Sequence, residues 1–217
     1  MAEFWILMYY KESNNELQVE KNNEVHTMCK KLNELSRLTV DKLYEKYPDI
    51  FSQPPIDIVY LLDRLGVFFC EQDFSEIEGT INDISLPAQH KDVFGAVACY
   101  PDDSEQNSDA VIISVNKFDS YNRRRFTLAH ELGHCMEDAE NLKNGFIELR
   151  AKTTENDPKE VSINRIAAQI LMPKNLIEKE YNKLYLPVLQ LLAKKFEVSE
   201  NVMRVRLNEL GLDYIKI

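Results

Sequence analysis

The chain has 217 residues, of which 44% are hydrophobic and 29% are charged, and its formal net charge is −10. This length supports one sizeable hydrophobic core, and the composition excludes a disordered chain. The acidic balance, with a pI of 5.0, excludes a long-range field that would draw the protein to nucleic acid or to an anionic membrane.

The chain starts with an apolar run, Phe4–Tyr10, which we interpret as a buried strand or a short helix. This run lacks a basic leader and a small-residue cleavage site, and it is too short to span a bilayer. The four cysteines, Cys29, Cys70, Cys99 and Cys135, have no CxxC spacing and are too few for a disulfide scaffold. We therefore expect free thiols in a cytoplasmic protein with no membrane partner.

A helical region is predicted next. Apolar residues recur at helical spacing over residues 24–47 and predict a first helix. A proline-containing segment follows, and IDIVYLLDRL (56–65) predicts a second helix that ends at Gly66. We assign residues 1–55 to an N-terminal helical region.

A small sheet is predicted from the change in composition that follows. Three β-rich runs, Val67–Cys70, Val93–Tyr100 and Asp109–Val115, are separated by turn residues. A further short strand is predicted at Phe146–Leu149. Strands mixed with helices in this order indicate an α+β fold.

Three helical segments complete the pattern. RRRFTLAHELGHCME (123–137) predicts one helix, and a second begins near Pro158 and stops before Pro173. Residues 187–211 predict two short helices, the last of which ends at a glycine. We place the main domain at 56–182 and a helical tail at 183–217.

The helix over 123–137 carries two histidines four residues apart. On a helix this spacing leaves roughly 5–6 Å between the Cβ atoms, so His130 and His134 can reach one metal ion. Glu131 lies about 100° round from His130, where it can take a proton from a water molecule activated by the metal. The opposite side is apolar and indicates a core-facing surface: Leu128, Leu132, Cys135 and Met136. The alternative is an ordinary amphipathic helix whose histidines are solvated or hydrogen-bonded.

A catalytic zinc ion needs a third protein ligand and an open fourth position. The metzincin pattern is excluded because Glu137 and Glu140 occupy the positions of its glycine and third histidine. The best candidate for the third ligand is Glu160, 26 positions after His134. Weaker rivals are the acids of the preceding loop: Glu148, Glu155 and Asp157.

Glu160 and Asn164 lie one turn apart on the apolar side of their helix, opposite the polar side: Ser162, Arg165 and Gln169. A buried carboxylate is costly unless it is paired or bound to a metal, which favours a ligand role. An alternative is a capping box in which Asp157 caps the helix and Glu160 is its third residue. That alternative leaves Asn164 unexplained.

These motifs resemble the ImmA/IrrE family of zinc metallopeptidases. The matching stretches are RFTLAHELGH (125–134), EVSINRIAAQILMP (160–173) and LAKKFEVSENVMRVRLNELGL (192–212). The resemblance implies a gluzincin-like α+β core that binds one zinc ion through His130, His134 and Glu160, with Glu131 as the general base. Ile163 and Ile166 depart from the usual Ala and Phe of the second motif, so we expect different packing behind the site.

Members of this family act on helix-turn-helix repressors of prophages, integrative elements or stress regulons, often encoded beside them. The resemblance therefore implies an endopeptidase that cleaves such a repressor. The alternative function is a non-proteolytic binding module that sequesters a regulator, as an antitoxin-like adaptor. The intact HELGH motif weighs against it, because binding alone does not need Glu131. A secreted broad-specificity protease is the weakest interpretation, because the sequence has no export signal or pro-segment.

The tail resembles a helix-turn-helix, although Glu197 stands where the turn usually has glycine. A recognition helix beginning near Ser199 would expose Asn201, Arg204 and Arg206 to DNA. The acidic pI favours instead a helical pair packed on the core, or a docking surface for a partner.

Peptide hydrolysis also needs a donor that stabilises the oxyanion. Tyr121, Arg124 and Arg125 precede the histidines and are near them in sequence. The sequence singles out none of the three.

Overall fold

The protein is represented by a computed structural model that describes residues 30–74, 80–81, 84–85, 93–100, 110–137, 147–151 and 157–216. Several sequence-based interpretations lie outside these residues. They concern the Phe4–Tyr10 run, Cys29, the metal-ligand rival Glu155 and the side chains of Cys99 and Glu148.

The described ranges contain helices and strands in the mixed order expected of an α+β fold. The α-helices are α1 (Lys30–Leu35), α2 (Val40–Lys46), α3 (Ile58–Leu65), α4 (Tyr121–Glu137), α5 (Pro158–Leu171), α6 (Lys174–Tyr181), α7 (Leu189–Phe196) and α8 (Glu200–Leu210), and a 3₁₀ turn spans Ile50–Ser52. The strands are β1 (Phe68–Gln72), β2 (Thr80–Ile81), β3 (Ile84–Ser85), β4 (Val93–Tyr100), β5 (Ala110–Asn116) and β6 (Ile147–Ala151). None of the helices in these ranges combines the length and hydropathy needed to cross a bilayer.

The sheet confirms the four main predicted strands, with boundaries shifted by at most two residues. Its strand order is β1-β5-β4-β6, with β1 parallel to β5 and the other pairs antiparallel. Strand β4 is therefore paired on both sides: Gly95 lies opposite Val115 of β5 and Arg150 of β6. The register with β6 shifts between Val93 and Gly95, which marks a bulge at this point of the strand.

One hydrophobic core joins the helices before the sheet, strands β4 and β5, helix α4 and the helices that follow it. It includes Leu32 from α1, Ile113 from the sheet, Leu132 from α4 and Leu207 from the tail. Helix α4 packs against strands β4 and β5 and against helices α5, α1 and α3. The central position of α4 follows from these contacts, and the proposed domain boundaries stay predictions.

The prediction of one helix over 24–47 is wrong, because α1 ends at Leu35 and α2 begins at Val40. Thr39 interrupts the periodicity: its backbone is extended, and its hydroxyl oxygen accepts a hydrogen bond from the Lys42 amide at 3.3 Å. Threonine is a good N-cap because its side chain satisfies an otherwise unpaired amide. A local capping interaction thus divides a continuous apolar pattern into two helices.

The second predicted helix is confirmed, with its start two residues later, at Ile58. Asp57 caps it through a hydrogen bond from the Tyr60 amide to Oδ1 (2.9 Å), and it ends at Gly66, whose φ is 67°. Helix α6 was not predicted at all. It begins directly after Pro173, which is its N-cap: the Pro173 carbonyl oxygen accepts hydrogen bonds from the Leu176 and Ile177 amides at 3.0 Å and 2.9 Å.

The tail forms the two predicted helices, which pack on the core through Phe196, Met203 and Leu207. The expectation that Arg206 is exposed to DNA is wrong, because only 5% of its surface is accessible. Its Nε donates to the carbonyl oxygen of Met172 at 3.2 Å. Residues Asn201 and Arg204 are exposed, as expected, so the tail presents fewer basic groups than its helix-turn-helix pattern suggests.

Arg125 joins α4 to two distant parts of the chain. Its Nη2 donates to the carbonyl oxygen of Ile56 at 2.7 Å, and its Nε donates to the carbonyl oxygen of Glu197 at 3.3 Å. Glu197 lies in the turn between α7 and α8 and has a φ of 52°. The side chain of Arg125 thus attaches both the tail and the segment before α3 to the first turns of α4 through backbone acceptors, which its several donors allow.

We predict that Arg125→Ala lowers the free energy of unfolding by about 2–4 kcal/mol, because it leaves the buried Ile56 carbonyl without its donor. Arg123→Ala is the matched control. Arg123 is exposed and pairs with Asp119 at 3.4 Å, so its removal should cost about 0–1 kcal/mol. Urea unfolding measures both values, and equal losses would contradict the anchoring role of Arg125.

Candidate metal centre

Helix α4 is enclosed on nearly all sides from Thr127 to Met136, and every residue in that span is buried. The apolar residues expected to face the core do so, and the side of the helix that carries the histidines is covered as well. Strands β4 and β5 cover one side of the helix and α5 covers another. The histidine pair therefore lies inside the protein, at the α4–α5 interface.

Two imidazoles and one carboxylate converge at this interface. The Nε2 atoms of His130 and His134 lie 2.9 Å apart. The Glu160 carboxylate oxygens lie 3.3 Å from His130 Nε2 and 3.4 Å from His134 Nε2. In the described part of the chain these three residues form a buried group whose ligand atoms all lie within 4.8 Å of one another. Such a group could hold one metal ion.

Helix α5 presents Glu160 to the histidines from its first turn. Asp157 caps the helix by accepting a hydrogen bond from the Lys159 amide at 2.9 Å, and Pro158 occupies the first helical position. Asp157 acts as the predicted cap, yet both carboxylate oxygens of Glu160 face the imidazoles. The capping-box interpretation therefore does not account for Glu160, and Asp157 is an exposed cap distinct from the metal-ligand group.

Close packing of α4 on α5 brings the three side chains together. A Cβ atom added at Gly133 would lie 3.1 Å from Ile163 Cγ2 and 3.4 Å from Ile166 Cγ2. Glycine between the two histidines thus leaves room for two branched side chains on α5. These isoleucines, which depart from the usual family pattern, fill the space behind the site and are almost fully buried.

Asn164 supports the site from one turn beyond Glu160. Its Oδ1 lies 3.0 Å from His130 Nδ1. An amide oxygen only accepts hydrogen bonds, so His130 Nδ1 carries the hydrogen and Nε2 keeps its lone pair. This contact explains the amide on the apolar side of α5, which the capping alternative left unexplained.

The charge state of the group suits a cation. Burial by itself raises the pKa of the Glu160 carboxyl, but the adjacent imidazoles of His130 and His134 outweigh burial and hold that pKa well below its usual range. Two imidazole nitrogens and one carboxylate oxygen are the three protein ligands found in one common type of catalytic zinc site. The residues present therefore fit a divalent metal ion.

Glu131 follows His130 directly in α4 and is only 1% exposed. Its carboxylate approaches strand β4: a Cβ atom added at Gly95 would lie 2.6 Å from Glu131 Oε1. Sequence reasoning missed Gly95. A lone glycine within a predicted strand often marks a close backbone approach, and that signal was present in the run Val93–Tyr100.

The three residues considered for oxyanion stabilisation are engaged at the first turns of α4. Tyr121 donates to Glu197 Oε2 at 3.1 Å, and Arg124 donates to the Asp119 carbonyl at 2.6 Å. Arg125 makes the contacts with the tail described above. None of these contacts brings their donors to the histidine pair.

A comparison with protein families gives one further observation. A family model, Peptidase M78, described as the IrrE N-terminal-like domain, matches residues 86–208. The match covers more than half of the chain and includes α4 and α5, with His130, Glu131, His134 and Glu160. A search of curated proteins found no match.

We predict that Glu160→Gln lowers zinc affinity by at least about 100-fold, because the charged third donor is lost. A competition titration with a chromophoric chelator measures the Kd. Glu137→Gln is the matched control, since Glu137 is an exposed acid at the end of the same α4 helix and should leave the Kd unchanged. Wild-type affinity in Glu160→Gln would remove Glu160 from the metal site.

We predict that Asn164→Ala weakens zinc binding by about 10–100-fold, because His130 loses the acceptor that orients its ring. Asn164→Asp should restore most of the affinity, because a carboxylate also accepts from Nδ1. Ser162→Ala, on the exposed side of α5, serves as the control in the same titration. If Asn164→Ala binds zinc as tightly as the wild type, Asn164 does not orient the ligand.

Proposed function

Because this chain belongs to the Peptidase M78 family, the IrrE N-terminal-like domain, we propose that it is a zinc-dependent endopeptidase that cleaves a helix-turn-helix transcriptional repressor. The observation that carries the proposal is the buried group of two imidazoles and a carboxylate, together with the buried side chain of Glu131, which follows His130 directly in α4. A purely structural helix pair does not need four polar side chains inside a hydrophobic core, since each is costly to bury.

Zinc is the ion that this donor set favours. Neutral imidazole nitrogen and carboxylate oxygen are common zinc ligands, and three protein ligands leave a position for substrate or water. The chemistry that zinc supplies at such a site is Lewis acidity toward a carbonyl and toward water. His130, His134 and Glu160 would hold the ion, and Asn164 would keep His130 in the tautomer that binds it.

Glu131 is the residue to which we assign proton transfer. It would accept a proton from the attacking water and deliver that proton to the leaving amine of the cleaved peptide. The burial of Glu131 supports this role, because a general base works best where bulk solvent is excluded and the side chain of the base is held in place. Nothing in a purely binding protein requires an acid beside the histidines, so Glu131 favours catalysis over the sequestering module.

The substrate class rests on family membership rather than on the geometry of the site. Members of this family act on helix-turn-helix repressors, so we propose a repressor of a prophage, a mobile element or a stress regulon. Direct binding of this chain to DNA is not part of the proposal. With Arg206 bonded to the Met172 carbonyl, the second tail helix has lost one of three polar groups that could face a duplex.

We predict that Glu131→Gln lowers kcat/KM for repressor cleavage by about 10²–10⁴-fold, because the amide cannot accept the proton. The zinc-loaded wild type and the variant are incubated with candidate helix-turn-helix repressors, and mass spectrometry identifies the fragments. Zinc content should stay equal in both proteins, since Glu131 is not a ligand. The exposed Glu137→Gln variant controls for loss of a carboxylate from the same helix.

Two results would contradict the proposal in different ways. If Glu131→Gln cleaves as fast as the wild type, the assigned base is wrong. If the wild type forms a stable complex with one of these repressors and releases no fragments, the protein is the sequestering module instead.

A further inference from the structure

We propose that Gly95 is a positioning residue for Glu131. The absence of a side chain on strand β4 lets the Glu131 carboxylate lie directly against the sheet, and the strand then holds that carboxylate in place. The catalytic meaning of this contact rests on the proposed function, in which Glu131 is the general base. The contact itself does not depend on that function.

The distances at Gly95 leave no room for a methyl group. A Cβ atom there would lie 2.5 Å from Thr127 Cγ2, 2.6 Å from Glu131 Oε1 and 3.2 Å from Glu131 Cδ. Non-bonded heavy atoms at optimal separation lie about 3.5–4.0 Å apart, so any larger residue would overlap both side chains. Thr127 and Glu131 are one helical turn apart on α4, and both are almost fully buried.

The strand cannot retreat from this overlap. Strand β4 is paired with β5 on one side and with β6 on the other, so moving it would break two sets of backbone hydrogen bonds. The register shift between Val93 and Gly95 lies next to this contact. Bulges of this kind change the direction of a strand locally and recur next to functional sites.

Of the two overlapping side chains, Glu131 is the one that would move. Threonine is β-branched and has few alternative rotamers in a helix, whereas glutamate has three rotatable bonds. A methyl group at position 95 would therefore displace the Glu131 carboxylate first. The atoms nearest the added Cβ belong to Thr127 and Glu131 and to no metal ligand. The expected defect is a misplaced base beside an intact metal site.

A double-mutant cycle on thermal stability tests the contact without any assay of activity. Gly95→Ala should lower the Tm by about 4 °C or more, as expected for overpacking a buried site in a protein of this size. In a Glu131→Ala background the same substitution should lower the Tm by a smaller amount, because the overlap with the carboxylate is gone and only the overlap with Thr127 remains. Equal losses in the two backgrounds would overturn the inference.

Gly133→Ala is the matched control for this cycle. It is also a glycine on the close-packed side of a buried element, but its added methyl group would press on Ile163 rather than on Glu131. Its effect on the Tm should therefore be the same with and without Glu131. A Gly133→Ala loss that shrinks in the Glu131→Ala background as much as the Gly95→Ala loss would show a non-specific effect and overturn the inference.

Kinetics test the catalytic consequence. The substrate is one peptide that the wild type cleaves, selected from a proteome-derived peptide library. Gly95→Ala should lower kcat by about 100-fold, as misplacement of a catalytic group by ~1 Å does, while KM and zinc affinity change by less than ~3-fold. Adding Gly95→Ala to Glu131→Gln should cost no further activity, because the positioned group is already lost. A parallel loss of zinc affinity, or an additive loss of kcat, would assign Gly95 a general structural role instead. The stability cycle decides the contact even if the wild type cleaves no peptide, so failure of the proposed function is distinguishable.

Discussion

The close approach of α4 and α5 is the constraint on which the candidate site depends. Gly133 lets Ile163 pack against the turn of α4 between the two histidines, and this distance brings Glu160 within 3.3–3.4 Å of both imidazoles. A carboxylate at that depth is costly without partners, and two imidazoles without an acid would have less affinity for a cation. Packing and chemistry are therefore coupled, because the contact that fills the core also completes the ligand set.

The two covered sides of α4 have different roles in the proposed reaction. The side facing α5 carries the metal ligands and Asn164, which orients His130. The side facing the sheet carries Glu131, which lies against Gly95 of β4. Because the sheet contacts Glu131 and α5 contacts the histidines, the base is held in place without being a metal ligand. A general base that bound the metal would be less basic, because the cation stabilises the charged carboxylate.

The two tail helices pack on the core of the protein. Its two helices and turn resemble a helix-turn-helix, yet Arg206 turns inward to the Met172 carbonyl at the end of α5. The turn residue Glu197 accepts from Arg125 at the start of α4. Both contacts attach the tail to the helices that carry the site. The helical pair thus packs on the core of the protein.

The sequence by itself determined the features of the protein that depend on only a few neighbouring residues. It predicted the four main strands, the histidine spacing on α4, the Asp157 cap and the glycines that end α3 and α8, because periodicity and capping are local. Only the tertiary structure decided the break at Thr39, the start of α6 after Pro173, the burial of Arg206 and the approach of Gly95 to Glu131. The break at Thr39 and the start of α6 depend on which of two local patterns prevails, a cap or a continuous helix. The burial of Arg206 and the approach of Gly95 to Glu131 depend on partners that are distant in sequence. The convergence of Glu160 on the histidines is of the same kind, because residues 26 positions apart in sequence meet only when two helices pack.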